Sequence, residues 1–99
     1  MSLFYVNDSN FKSEVLNSDE TVLVDFYADW CAPCRMIAPV VEEVAQSTKV
    51  CKVNVDESPA AAQAFGISSI PALVVIKDGS VYNQAVGYME KDKILNLLK

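Results

Sequence analysis

Two cysteines stand three positions apart, Cys31 and Cys34, within Trp30-Cys31-Ala32-Pro33-Cys34. The segment follows an apolar, strand-like run and opens a helix-like one. A thiol at the first turn of a helix faces backbone N–H groups that lack intrahelical partners, and the positive end of the helix dipole. Both favour thiolate over thiol, and the thiolate is the nucleophile. A second thiol one turn later can reach back and close a disulfide. The spacing therefore makes a dithiol able to give up two electrons and take them back.

Other chemistries are poorly supplied. A structural zinc site needs four ligands, and beyond this pair the chain offers only Cys51 and no histidine. Missing histidine also removes the commonest general base. Asp25 is the first substitute, six residues before Cys31 in Val22-Leu23-Val24-Asp25-Phe26-Tyr27. Simple alternation would put Thr21, Leu23, Asp25 and Tyr27 on a half-exposed face. If both strand faces are covered, Asp25 is instead a carboxylate beneath the dithiol. Its pKa would be raised by burial, and it could accept a proton from Cys34 near neutral pH. Position favours the second reading.

Lys52 interrupts another apolar run (Val50, Cys51, Val53, Val55). It either snorkels to water or partners Asp25. Cys51 reads as a small core residue on the face of Val53 and Val55. Trp30 is either a packing residue or the apolar rim of a docking surface. Ile70-Pro71 precedes a strand, where proline is tolerated and a trans bond is the ordinary case.

The elements that must position these residues follow from periodicity and punctuation. Leu3 to Val6 is a short strand, and Asp8, Ser9 and Asn10 offer N-caps for a helix carrying Phe11, Val15 and Leu16. Thr21 to Ala28 is a β-branched and aromatic strand. From Pro33 to about Ser47, Ile37, Val40, Val41 and Val44 recur at helical spacing, with Pro39 predicted to kink that helix. Lys49 to Val55 is a strand. Ser58-Pro59 is an N-cap followed by proline at the first helical position, and Gly66 is the matching stop. Ala72 to Lys77 and Ser80 to Val86 form a hairpin about Asp78-Gly79. A last helix carries Ile94, Leu97 and Leu98. The order β-α-β-α-β-α-β-β-α predicts an α/β fold, a mixed sheet with helices on both faces. In such sheets ligands gather beyond the carboxyl ends of strands, where the dithiol falls.

Ninety-nine residues suit one domain, expected over 1–99. With 52% of residues hydrophobic, that domain has a core without disulfide staples. A net charge of −5 with no basic cluster argues against nucleic acid or anionic membrane as partner. No apolar run approaches the roughly 18–20 residues that span a bilayer. No secretory leader is visible. A cytoplasmic, monomeric protein is expected, and in a reducing compartment a Cys-x-x-Cys reads as redox or metal chemistry.

The stretch Val24-Asp25-Phe26-Tyr27-Ala28-Asp29-Trp30-Cys31-Ala32-Pro33-Cys34-Arg35 resembles the signature segment of the thioredoxin family. The match continues through Pro39, Lys52, Asn54, Asp56, Phe65-Gly66-Ile67, Ile70-Pro71, Lys77-Asp78-Gly79 and Val86-Gly87. The resemblance implies a thioredoxin fold with Cys31 as nucleophile and Cys34 as resolving thiol. It implies Asp25 as buried acid–base group with Lys52 beside it, and a cis bond at Pro71. Trp30, Ala32, Pro33, Ile70, Pro71, Val86 and Gly87 would contact an extended substrate segment. The implied activity is reduction of protein disulfides through a mixed disulfide. The resemblance also implies that no cofactor or metal is bound and that a thioredoxin reductase returns the electrons to this carrier.

Ala32 stands where glycine is usual, Arg35 where lysine is, Tyr27 where tryptophan is frequent, Ser69 where glycine is, and Ala72 where threonine is. These departures bear on potential and partner range, not on the reaction. Two other functions remain to be weighed: a redox-independent binding module with this fold, and a specialised disulfide oxidase or isomerase. A pure binder would need neither the dithiol nor Asp25.

Overall fold

The computed structural model describes residues 2–99. Five strands form one sheet: β1 (Leu3–Tyr5), β2 (Val22–Tyr27), β3 (Lys49–Asn54), β4 (Ala72–Lys77) and β5 (Ser80–Val86). Their order across the sheet is β1-β3-β2-β4-β5. The first three run parallel, while β4 is antiparallel to β2 and to β5. The helices are α1 (Ala32–Val44), α2 (Pro59–Ala64) and α3 (Lys91–Leu98), with one π-helical turn at Lys12–Leu16.

Alternation along the strands divides the core into two layers. Val22, Val24 and Phe26 of β2 join Val74 and Ile76 of β4 against Phe11, Val15, Ala61 and Ala62. That face is covered by the π-helical turn and α2. Leu23, Val50, Leu73 and Val75 point the other way, onto Ile37, Val41 and Val44 of α1 and Ile94 of α3. The mixed sheet with helices on both faces is the expected architecture, and the central strands are buried on both sides as their continuous apolar runs require.

Local punctuation works as anticipated at two turns. Asp78 and Gly79 both take positive φ, 53° and 76°, the backbone pair that suits a two-residue hairpin. Gly66 has φ 63°, and Ile67 N–H donates back to the Ala62 carbonyl at 3.0 Å, closing α2 as a left-handed C-terminal residue does. Helix α1 runs on through Pro39, which leaves one carbonyl without its donor. It ends at Val44, the last residue of the apolar period, about one turn short of the expected end near Ser47.

The first helix departs from expectation. Instead of a capped α-helix there is one wide turn, in which Asn17 N–H donates to the Lys12 carbonyl at 2.9 Å. The expected caps are engaged elsewhere. Asn10 Oδ1 accepts from Asn7 N–H at 2.8 Å, and Asn7 Oδ1 accepts from Ser9 N–H at 3.0 Å. Asp8 reaches a different helix altogether. Its carboxylate accepts from Ala60 N–H at 3.1 Å and Ala61 N–H at 2.9 Å, at the start of α2. Ser58, the expected cap there, makes no side-chain capping bond. A charged carboxylate accepting two orphan donors also opposes the positive helix end. A cap of this kind typically contributes about 1 kcal/mol.

Candidate functional site

The dithiol sits where β2 passes into α1. Cys31 is the residue before the helix, with extended backbone (φ −91°, ψ 109°), and Pro33 occupies the first turn, where its missing N–H costs nothing. Cys31 and Cys34 form a disulfide with Cα atoms 5.2 Å apart. Cys34 N–H, an orphan donor of the helix start, points at Cys31 Sγ at 3.2 Å. The sulfur is thus the acceptor that caps α1, a contact that strengthens when the sulfur carries negative charge.

Around this pair the loop is tied down at several points. Cys31 N–H donates to the Ala28 carbonyl at 3.2 Å, and the Arg35 guanidinium donates to the Asp29 carbonyl at 2.7 Å. Trp30 is 68% exposed, and its indole N–H donates to Asp56 Oδ2 at 2.8 Å. Asp56 is itself held by a turn in which Asn54 Oδ1 accepts from Asp56 N–H and Glu57 N–H at 2.9 and 3.3 Å. Trp30 is therefore a rim residue with a fixed ring. Sequence reasoning aligned Asp56 with the family but gave it no task, because its partner lies 26 residues away.

Ile70 and Pro71 approach from the far side. The Ile70–Pro71 bond is cis, and the Ile70 carbonyl oxygen lies 3.8 Å from Cys31 Sγ. Gly87 N–H donates to the Pro71 carbonyl at 2.7 Å, which joins the end of β5 to the start of β4. Val86 is 62% exposed, Ala32 and Pro33 are exposed, and Gly87 is half-buried. Trp30, Ala32, Pro33, Ile70, Pro71, Val86 and Gly87 thus come to one end of the sheet, although three separate chain segments supply them.

Asp25 is fully buried. It follows Leu23 on the β2 face covered by α1, which rules out the half-exposed face that alternation allowed. In register it lies between Lys52 on β3 and Leu73 on β4. Lys52 is buried too and does not snorkel. Its Nζ stands 3.7 Å from Asp25 Oδ2, an ion-pair separation too long for a hydrogen bond. Neither Asp25 oxygen has a hydrogen-bond partner among the described residues. Burial therefore pushes the Asp25 pKa up to about 6, with the Lys52 charge pulling part of the way back. A groove of about 330 Å³ lies beside α1, with Cys34, Tyr27 and Lys52 among its walls.

Cys51 is fully buried on the opposite face, with Val53 and Val24, and burial lifts its thiol to about 11. Among the described residues no cluster of three or more His, Cys, Asp or Glu could hold a metal ion. No helix there is long and apolar enough to cross a membrane.

The thioredoxin family model matches residues 2–99. The chain belongs to the thioredoxin family. It is 52% identical over 97 residues to thioredoxin 1 of Synechococcus elongatus, covering 94% of this chain and 91% of that one. It is 51% identical over 98 residues to thioredoxin 1 of Nostoc, covering 95% and 92%. With thioredoxin of Haemophilus influenzae the identity is 43% over 100 residues, covering 97% and 94%. The protein is a thiol–disulfide oxidoreductase of the thioredoxin fold. Thioredoxins need no bound cofactor, and the redox group here is the Cys31–Cys34 disulfide itself.

Proposed function

We propose that this thioredoxin is a cytoplasmic electron carrier that reduces protein disulfides and is re-reduced by a thioredoxin reductase. The observation that carries the reading is the 3.2 Å approach of Cys34 N–H to Cys31 Sγ, which favours charge on Cys31 and makes it the attacking sulfur. The Cys31 thiolate attacks one sulfur of a substrate disulfide. A mixed disulfide forms, and the other substrate sulfur leaves as thiolate. Cys34 then gives its proton to Asp25, attacks Cys31 Sγ, and expels the second substrate sulfur. Two electrons pass to the substrate, and Cys31–Cys34 is left oxidised. The reductase partner reverses the exchange.

Asp25 suits the proton transfer because its pKa of about 6 lies close to operating pH, where a general base is most effective. The groove bordered by Cys34 and Lys52 gives water access to this part of the site. Trp30, Ile70 and Val86 supply apolar contact for an extended substrate segment. Ala32, Pro33, Pro71 and Gly87 line its path past the dithiol.

A Cys34→Ser variant tests the assignment. Incubated with a disulfide-bonded protein, it is expected to accumulate a covalent adduct through Cys31 that a reductant releases, while wild type turns over without accumulating one. If wild type reduces the substrate and Cys34→Ser forms no adduct, the roles given to the two cysteines are wrong.

A further inference from the structure

Two aromatic rings that the reaction scheme does not use, one in the row of residues across the sheet at Asp25 and one beside it, face Lys52. Tyr5 on β1 is the register partner of Lys52 on β3, and Lys52 is the register partner of Asp25 on β2. Residues opposite one another in register project from the same face, so Tyr5, Lys52 and Asp25 form one line. Tyr27 follows Asp25 by two positions on β2 and shares that face, in diagonal reach of Lys52. The distances match this layout. Lys52 Nζ lies 4.7 Å from the Tyr27 ring centroid and 5.8 Å from that of Tyr5, within the range of cation–π attraction.

The arrangement resolves a difficulty in the site. At 3.7 Å the ammonium makes no hydrogen bond to Asp25, so the carboxylate alone does not anchor a four-carbon flexible stem. A ring face does so without donating a hydrogen bond to the carboxylate, and leaves Asp25 free to take up a proton. Other groups could act on the same ammonium. Glu57 lines a small pocket together with Lys52, Tyr5 and Asn54, and Asp29, Arg35 and Cys34 line the groove that Lys52 borders on the α1 side. Of the rings, Tyr27 is half-buried and nearer, whereas Tyr5 is exposed.

We propose that Tyr27, with Tyr5 behind it, is a positioning residue whose ring face holds the Lys52 ammonium against Asp25 and so sets the proton affinity of that carboxylate during resolution. The inference rests on the reading of Asp25 as proton acceptor. An ammonium held close stabilises the ionised carboxylate; one released toward the groove does so less. Removal of the ring therefore raises the Asp25 midpoint, while removal of the hydroxyl alone leaves it in place.

The test is NMR titration of the Asp25 side-chain carboxyl in the oxidised protein, where neither Cys31 nor Cys34 titrates. Tyr27→Phe should leave the midpoint unchanged, and Tyr27→Leu should raise it by about half a pH unit, roughly a twofold to fivefold change in proton affinity. Tyr5→Leu should raise it by less. In a Lys52→Met background Tyr27→Leu should produce no further shift, since the ring then has no cation to hold. No shift in Tyr27→Leu, or an equal shift with and without Lys52, would overturn the proposal. The pH profile of mixed-disulfide resolution in Tyr27→Leu should move with the midpoint. A midpoint that moves through Lys52 while the profile stays fixed supports the clasp and counts instead against Asp25 as proton acceptor, so the two failures are distinguishable.

Discussion

Replacing Asp25 by asparagine is expected to slow resolution of the mixed disulfide about 100-fold at pH 7 and, at the same time, to stabilise the folded protein. The second effect follows from the sign of the shift. The folded carboxyl keeps its proton up to about pH 6, against 3.8 for the ordinary group. Between those values the folded state binds more protons than the unfolded state, so stability falls as pH rises. The favourable contribution is fully present below pH 3.8 and is lost as pH passes through 6. Two units correspond to about 3 kcal/mol, large beside a total of roughly 5–15 kcal/mol for a folded domain.

Asparagine mimics the protonated carboxyl in shape and charge, so the variant should escape this decline. Lys52 loses its counter-ion in the variant, but it does so equally when wild-type Asp25 is protonated. Urea unfolding of the oxidised proteins between pH 4 and 8 checks the stability claim, and stopped-flow decay of the mixed disulfide checks the rate. Parallel stability curves for the two proteins would show that Asp25 is not held ionised at a cost.

Phe26→Ala should have the largest purely structural effect. Phe26 is fully buried, on the β2 face opposite Asp25, with the rings of Phe11 and Phe65 centred 6.5 and 6.1 Å away. Truncation removes the ring that joins β2 to the π-helical turn and the end of α2. The expected loss is about 3–5 kcal/mol, a fall of roughly 15–30 °C in Tm for a chain of this length. Calorimetry of the oxidised protein measures it. Because Asp25 lies on the other side of the strand and the dithiol beyond the strand's end, in a separate cluster, exchange per folded molecule at 20 °C should stay close to wild type. A loss below about 1 kcal/mol would mean that the three rings do not share a packed core.

How far these features could be read from the sequence depended on the range of the interactions. The dithiol, the Asp78-Gly79 hairpin and the Gly66 stop are local, carried by a few adjacent residues, and they lie where the chain suggests. Asp25 and Lys52 were ambiguous because alternation permits an exposed face. Only the packing of α1 against that face buries them, and this is a contact between elements distant in sequence. Asp8 was misassigned for the same reason: a capping carboxylate signals that some helix needs it, not which one. The bond from Trp30 to Asp56 and the line of Tyr5, Lys52 and Asp25 arise from the strand order β1-β3-β2, which no local pattern contains. The family resemblance pointed to the cis bond at Pro71 and to Lys52 beside Asp25, which residue types alone left open.

The central claim, that Cys31 attacks and Cys34 resolves, is tested most directly by limited alkylation of the fully reduced protein at pH 7, with labelled peptides located by mass spectrometry. The account predicts that Cys31 carries the label first. Cys34 should react at least about tenfold more slowly, and Cys51 only when the protein unfolds. First labelling at Cys34, or equal labelling of the two, would contradict it.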